Sequence, residues 1–296
     1  MFINQFLTRT LLGAVAGATL LLSGCQPVQP ASAPAAAVAE APSLHQLSVT
    51  ANGTGYEAPA EAAAGWTTIS LANQSDEMRQ ASLLRFAEGK TLDDLMALMQ
   101  SGDVAGIPEW LIPVGGPVGV LPGMNGAVAL NLTAGDYIML DAAPDAGGVP
   151  GFAKGYLAPL HVTASTAATA EPVADLTVTL ADYAFVFEEA SMAAGRHTIR
   201  LENSGPQEPH EIAIVKLAQG ATLQDFMAAI SGEGPVGPPP GMSIGGSGPI
   251  AISEAAYVDV ELEAGATYGL VCFLPSAHNH GQPHFMLGMM REFTVQ

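Results

Sequence analysis

The sequence predicts an all-β protein built as two Greek-key β-sandwiches in tandem, each with one short inserted helix. Three observations carry this. Short runs of alternating, β-branched or aromatic residues recur along the chain, with Gly and Pro between them. The chain also repeats itself: "LLRFAEGKTLDDLMALMQSG" and "IVKLAQGATLQDFMAAISGEG" align at a constant offset of 131, matching Phe86 to Leu217, Thr91 to Thr222 and Met96 to Met227. Finally, 296 residues, 49% of them hydrophobic, suffice for two packed units.

The first 24 residues read as an export signal. Arg9 marks a short basic region, and the apolar run from Leu11 to Leu22 is too short to span a membrane. The tetrad Leu22-Ser23-Gly24-Cys25 resembles a bacterial lipobox. The resemblance implies cleavage before Cys25 and lipidation of its thiol. Gln26 stands where an inner-membrane retention signal would have Asp, which in a Gram-negative cell implies the periplasmic leaflet of the outer membrane. Residues 25–43, rich in Pro and Ala, form a tether. The first copy then occupies 44–164, a linker 165–174, and the second copy 175–296.

In each copy a Thr opens a short amphipathic segment with an acid three residues later, Thr91 with Asp94 and Thr222 with Asp225. That is a capping-box pattern, so a helix is expected in both, with Leu92, Leu95 and Met96 facing the core of the first. In the second copy "DLTVTLADYAFVF", "GRHTIRLEN", "HEIAIVKL", "AYVDVELEAG", "TYGLVCFL" and "REFTV" are the strands. The insert "SGEGPVGPPPGMSIGGSG" is expected to lack regular structure. Tyr268 and Phe273 flank the core of the Cys272 strand, and Met286 and Met290 are read as packing residues.

Charge bounds the function. Acids outnumber bases 28 to 9, for a formal net charge of −19. Such a surface will not follow nucleic-acid phosphates. It suits a basic protein or a metal cation. No phosphate loop and no Gly-x-Ser-x-Gly elbow occurs.

Only two cysteines exist. Lipidation of Cys25 leaves Cys272 with no partner in the chain, so it is a buried apolar residue, an intermolecular bridge or a metal ligand. Cys272 opens "CFLPSAHNHGQPHFMLGM", which also holds His278, His280, His284 and Met289. Thiolate, imidazole and thioether are soft-metal ligands. His210 begins an earlier strand. Together His210, Cys272, His284 and Met289 resemble the ligand set of cupredoxins, the blue copper proteins, in which one His comes from an early strand and Cys, His and Met follow on the loop between the last two. The resemblance implies two cupredoxin-like sandwiches and one mononuclear copper site of the type 1 kind. Eleven residues separate Cys272 from His284, more than in typical members, which keeps His278 and His280 open as alternatives to His284. Glu211 stands where members often have an Asn bracing the Cys loop.

The repeat provides an internal control. Cys272 falls opposite Asp141, His284 opposite Gly151, Met289 opposite Tyr156 and His210 opposite Arg79. The Gly-x-Pro-x-Phe framework persists in the first copy while all four candidate ligands are absent. The first copy is therefore expected to be a scaffold or docking unit without copper, with Arg79 and Asp141 as an ion pair in place of the metal. His45, His161 and His197 stand alone and read as surface or strand residues.

The expected function is single-electron transfer by a membrane-anchored copper protein, with a redox or copper-transfer protein as partner. A copper chaperone or store, and a metal-free interaction module, are the alternatives. An enzyme is not expected, because seven histidines with a single His-x-His pair are too few for the trinuclear cluster of multicopper oxidases.

Overall fold

Alternation sets the strands. In β1 (His45–Asn52) and β4 (Gly65–Asn73) every second side chain is buried, the period that places one face of a strand on a core. The computed structural model describes residues 43–101, 107–145 and 147–296. The signal segment, the lipobox Cys25 and nearly all of the tether lie outside the described residues. Between β1 and β4 come β2 (Gly55–Glu57) and β3 (Glu61–Ala63), followed by β5 (Ser82–Phe86), helix α1 (Leu92–Ser101), β6 (Leu111–Gly115), β7 (Asn125–Leu132), β8 (Gly135–Leu140) and β9 (Leu157–Thr163). The second half runs β10 (Leu176–Ala181), β11 (Ala184–Val186), β12 (Gly195–Asn203), β13 (His210–Leu217), α2 (Leu223–Ile230), β14 (Gly241–Ile250), β15 (Ala255–Leu262), β16 (Thr267–Val271) and β17 (Met290–Thr294).

The strands form two sheets, and the architecture is an all-β sandwich. One sheet has the order β11-β10-β12-β15-β7-β4-β1-β2, the other β17-β16-β13-β14-β6-β5-β8-β9-β3. Each order, read from its middle outward, uses repeat-equivalent strands in both directions. The seams are short. Ala256 pairs with Leu130 and Tyr257 with Ala129 in one sheet, and Ile250 with Val114 in the other. One buried cluster runs through both halves, from Leu47 and Leu130 to Leu201, Leu270 and Val295. The expected linker is docked: Thr169 Oγ1 accepts from the Trp66 N–H at 2.9 Å, and Glu171 meets the Tyr257 hydroxyl.

Both helices begin as the capping pattern predicts. Thr222 and Asp225 make the reciprocal box, and Thr91 and Asp94 make the same pair of contacts. On α1 the inward stripe is buried Leu95 with half-buried Leu92 and Met99 beside it, and Met96 is exposed. These three sit at helical spacing, and Met96 lies beside their arc. Its repeat partner Met227 is buried.

The Gly-rich insert departs from expectation, since its second half is strand β14. Two register shifts in the β13–β14 pairing admit it. Gly246 has φ 139°, and a Cβ there would strike the carbonyl oxygen of Ile212. The glycines that read as a loop are what allow the two backbones to approach. Met286 is exposed, and Phe273 is only partly covered, edge-to-face on Phe285, since both lie beyond the end of β16 on the connecting loop.

Candidate metal centre

Two strand ends and one loop build the site. His210 is the first residue of β13, and Cys272 directly follows β16, its neighbour in the sheet. The chain then returns through "HFML", a 3₁₀ turn that starts at His284 and is closed by left-handed Gly288. Backbone bonds fix this turn against the cysteine. The Phe285 N–H donates to the Cys272 carbonyl at 2.9 Å, and the Cys272 N–H to that of Met289 at 3.2 Å. Cys272 and Met289 are 0% exposed, His210 0% and His284 1%.

Both imidazoles turn the same nitrogen inward. His210 Nδ1 lies 3.1 Å from His284 Nδ1, which lies 3.3 Å from Cys272 Sγ. One ligand atom from each of the three residues falls within 4.8 Å of the other two. Burial lowers both histidine pKa values, and the neighbouring His210 adds to this at His284, against Asp182 and Glu208, which raise them. Burial thus favours the uncharged ring at both positions, the form that can offer a lone pair to a metal. Burial pushes the Cys272 thiol well up, and the Glu211 carboxylate adds to it. A thiolate there needs a cation, and a metal ion provides one. Two imidazoles and a buried thiolate fit a copper cofactor.

The outer nitrogens meet carboxylates. His210 Nε2 lies 3.0 Å from Asp182 Oδ1, and His284 Nε2 lies 2.8 Å from Glu208 Oε2. Glu208 is itself buried and held. Ser276 Oγ and the His278 N–H donate to Oε1 at 3.0 Å, and the Tyr183 hydroxyl donates to Oε2 at 3.0 Å. Burial would raise the Glu208 pKa, but these donors outweigh it and leave it below the ordinary carboxylate value. Glu211 does brace the cysteine loop: its Oε1 accepts the Phe273 N–H at 3.0 Å. Burial pushes Glu211 up to about 7, against the Phe273 bond that lowers it.

Of the sequence candidates, the structure brings His210, Cys272 and His284 into one group, with Met289 in the same buried cluster as Cys272. His278 and His280 are exposed on the loop and fall outside that group. Cys25 lies outside the described residues. Asp182, Tyr183, Glu208 and Ser276 were not singled out in the sequence. Glu208 had one signal, its repeat partner Glu77 at the same offset, but an acid shared by both copies reads as scaffold. Asp182, at the β10–β11 hairpin tip, had none.

The equivalent position in the first copy is filled by protein. The Arg79 guanidinium lies over the Tyr156 ring at 3.9 Å, with Nη1 3.6 Å from Asp141 and Nη2 2.6 Å from Glu77. Lys154 joins Glu77 to Asp145, at 2.8 Å from each. Gly151 leaves room for Asp141, whose carboxylate a Cβ there would strike. Arg79's shorter ion pair is with Glu77, so Asp141 is one member of a network rather than a sole partner.

No family model matches the sequence, and no curated protein matches it. Solved structures do. Auracyanin A, a "blue" copper protein from Chloroflexus aurantiacus, is similar over 40% of this chain and 98% of its own, at 16% identity and a TM-score of 0.29. A copper-containing nitrite reductase from Thermus scotoductus is similar over 86% of this chain and 62% of its own, at 12% identity and a TM-score of 0.23. A multicopper oxidase is similar over 85% and 88%, at 11% identity and a TM-score of 0.23. Likeness at this level assigns no activity to this chain. It does correct one expectation. Two of these three proteins are enzymes by name, so the exclusion of an enzyme drawn from the histidine count does not stand.

Proposed function

We propose that this chain carries single electrons through one mononuclear copper held by His210, Cys272, His284 and Met289, on a body anchored to a bacterial membrane through lipidated Cys25. The observation that supports the site is the convergence of His210 Nδ1, His284 Nδ1 and Cys272 Sγ in a fully buried group. Copper supplies one-electron chemistry when bound. The chain's own contribution is rigidity and dryness. Strand ends β13 and β16 hold two of the ligands, backbone bonds clamp the "HFML" turn, and burial excludes water. A fixed donor set of mixed softness serves both oxidation states with little rearrangement. In this reading residues 175–296 hold the copper, and 44–164, joined through 165–174, act as a scaffold. The partner is a redox protein, and the net charge of −19 favours a basic docking face on it.

Adding Cu(II) to the purified protein lacking residues 1–24 tests the reading. An intense visible thiolate-to-copper band that disappears in Cys272→Ser is the expected result. Copper bound without that band, or bound only through His278 and His280, sinks it. Copper transfer to an apo-acceptor without reversible redox at an electrode would identify a copper chaperone or store instead.

A further inference from the structure

Each of the two candidate histidine ligands has a buried or half-buried acid on its outer nitrogen. The two acids come from different elements. Asp182 lies at the β10–β11 hairpin tip, and Glu208 lies on the segment leading into β13. Asp182 reaches His210 Nε2 at 3.0 Å, and Glu208 reaches His284 Nε2 at 2.8 Å. Among the described residues, neither acid is paired with a Lys or Arg. The cationic partner of the equivalent acid in the first copy, Arg79 beside Glu77, has no counterpart here because His210 stands in its place. Glu208 is instead oriented by three neutral donors, Tyr183, Ser276 and the His278 N–H, so its negative charge is left for the imidazole. Gly205 keeps the other contact open, since a Cβ there would overlap both Asp182 Oδ1 and His210 Nε2.

An imidazole that gives its outer N–H to a carboxylate is a stronger σ-donor at its inner nitrogen, and its ring orientation and tautomer are fixed. A stronger donor beside two negative charges favours the more highly charged metal ion. We propose that Asp182 and Glu208 are positioning residues that hold His210 and His284 with Nδ1 toward the metal and, Asp182 by accepting from His210 Nε2–H and Glu208 by setting its carboxylate 2.8 Å from His284 Nε2, stabilise Cu(II) over Cu(I). The inference rests on the copper reading above. Outer carboxylates of this kind change metal affinity by about 10- to 100-fold. If that change falls mainly on Cu(II), each acid lowers the one-electron potential by about 60–120 mV, at 59 mV per tenfold.

The experiment compares wild type, Asp182→Asn, Glu208→Gln and the control Glu77→Gln, which removes the repeat-equivalent acid. Each is loaded with copper and measured by visible spectrum and by potentiometric titration. The expected result is an upward shift of about 60–120 mV in each of the first two variants with the thiolate-to-copper band retained, and no shift in Glu77→Gln. A retained band with unmoved potentials overturns the inference and leaves the copper reading standing. Shifts equal to that of Glu77→Gln also overturn it, since they would follow net charge rather than the imidazole contacts. Absence of the band from copper-loaded wild type overturns the copper reading, and this inference with it. Where a variant fails to fold, nitrogen-15 NMR of Cu(I)-loaded wild type decides. His210 and His284 must both show protonated Nε2 and unprotonated, metal-bound Nδ1; any other tautomer overturns the proposal.

Discussion

At residue scale, Arg79 and His210 occupy equivalent places and solve different problems. His210 turns Nδ1 to His284 beside the buried Cys272 thiol, whereas Arg79 brings its own permanent charge into the same kind of space. Removing that charge leaves the buried Asp141 carboxylate without its cationic partner, while Glu77 keeps Lys154. Arg79→Leu is therefore expected to cost about 3–5 kcal/mol in urea unfolding, the usual loss when one partner of a buried ionic group is removed. A change below ~1 kcal/mol would show the network to be dispensable. Asp141 gives a pH signature. Burial raises its pKa to about 6, against the Ala143 N–H and Arg79, which lower it. Unfolded, it titrates near 3.8. Between about pH 4 and 6 the folded state thus keeps a proton that the unfolded chain has lost, and this contribution to stability falls as pH rises through that window. Asp141→Asn should remove that part of the slope when unfolding is followed at pH 4, 5 and 6; an unaltered slope would assign it to other groups.

At the scale of elements, strands and caps were largely legible, because period-2 burial and the Thr-x-x-Asp signature are local properties. Thr222→Ala is expected to lose about 1 kcal/mol by removing the α2 cap, measurable by chemical denaturation. What the sequence concealed depends on neighbours. Gly-rich β14 reads as a loop until β13 is beside it, and Met96 reads as core until Leu92, Leu95 and Met99 take the inner face. Gly246→Ala should destabilise by more than about 1 kcal/mol, through its φ of 139° and the Ile212 carbonyl. A neutral result would mean that the β13–β14 pairing is loose. The same distinction holds at the candidate site. His210, Cys272, His284 and Met289 stood out by residue type and by their joint loss from the first copy. The acids beside them did not, since Asp182 approaches His210 across 28 positions of sequence and only folding brings it there.

At the scale of the whole molecule, both sheets cross the boundary between the repeats and one buried cluster extends over it. Cooperativity should follow that continuity. Residues 43–296 are expected to unfold in one calorimetric transition, with van't Hoff and calorimetric enthalpies equal. Leu130→Ala, in β7 at the seam, should destabilise the chain by about 2–5 kcal/mol and lower that single transition. Two separable transitions would show that each copy unfolds independently. The seam also has a bearing on shape and solubility. Among the described residues, β6, β7, β14 and β15 end the partial sheets of their own copies, and β6 pairs with β14 and β7 with β15. Cut away from its twin, either half would present two raw sheet margins with unspent N–H and C=O groups, ready to take up another chain. A fragment starting at residue 165 should accordingly sediment as a self-associated species rather than a monomer. That result would make the twin copy a guard against such association in the intact protein, a duty that asks nothing of it in the way of copper.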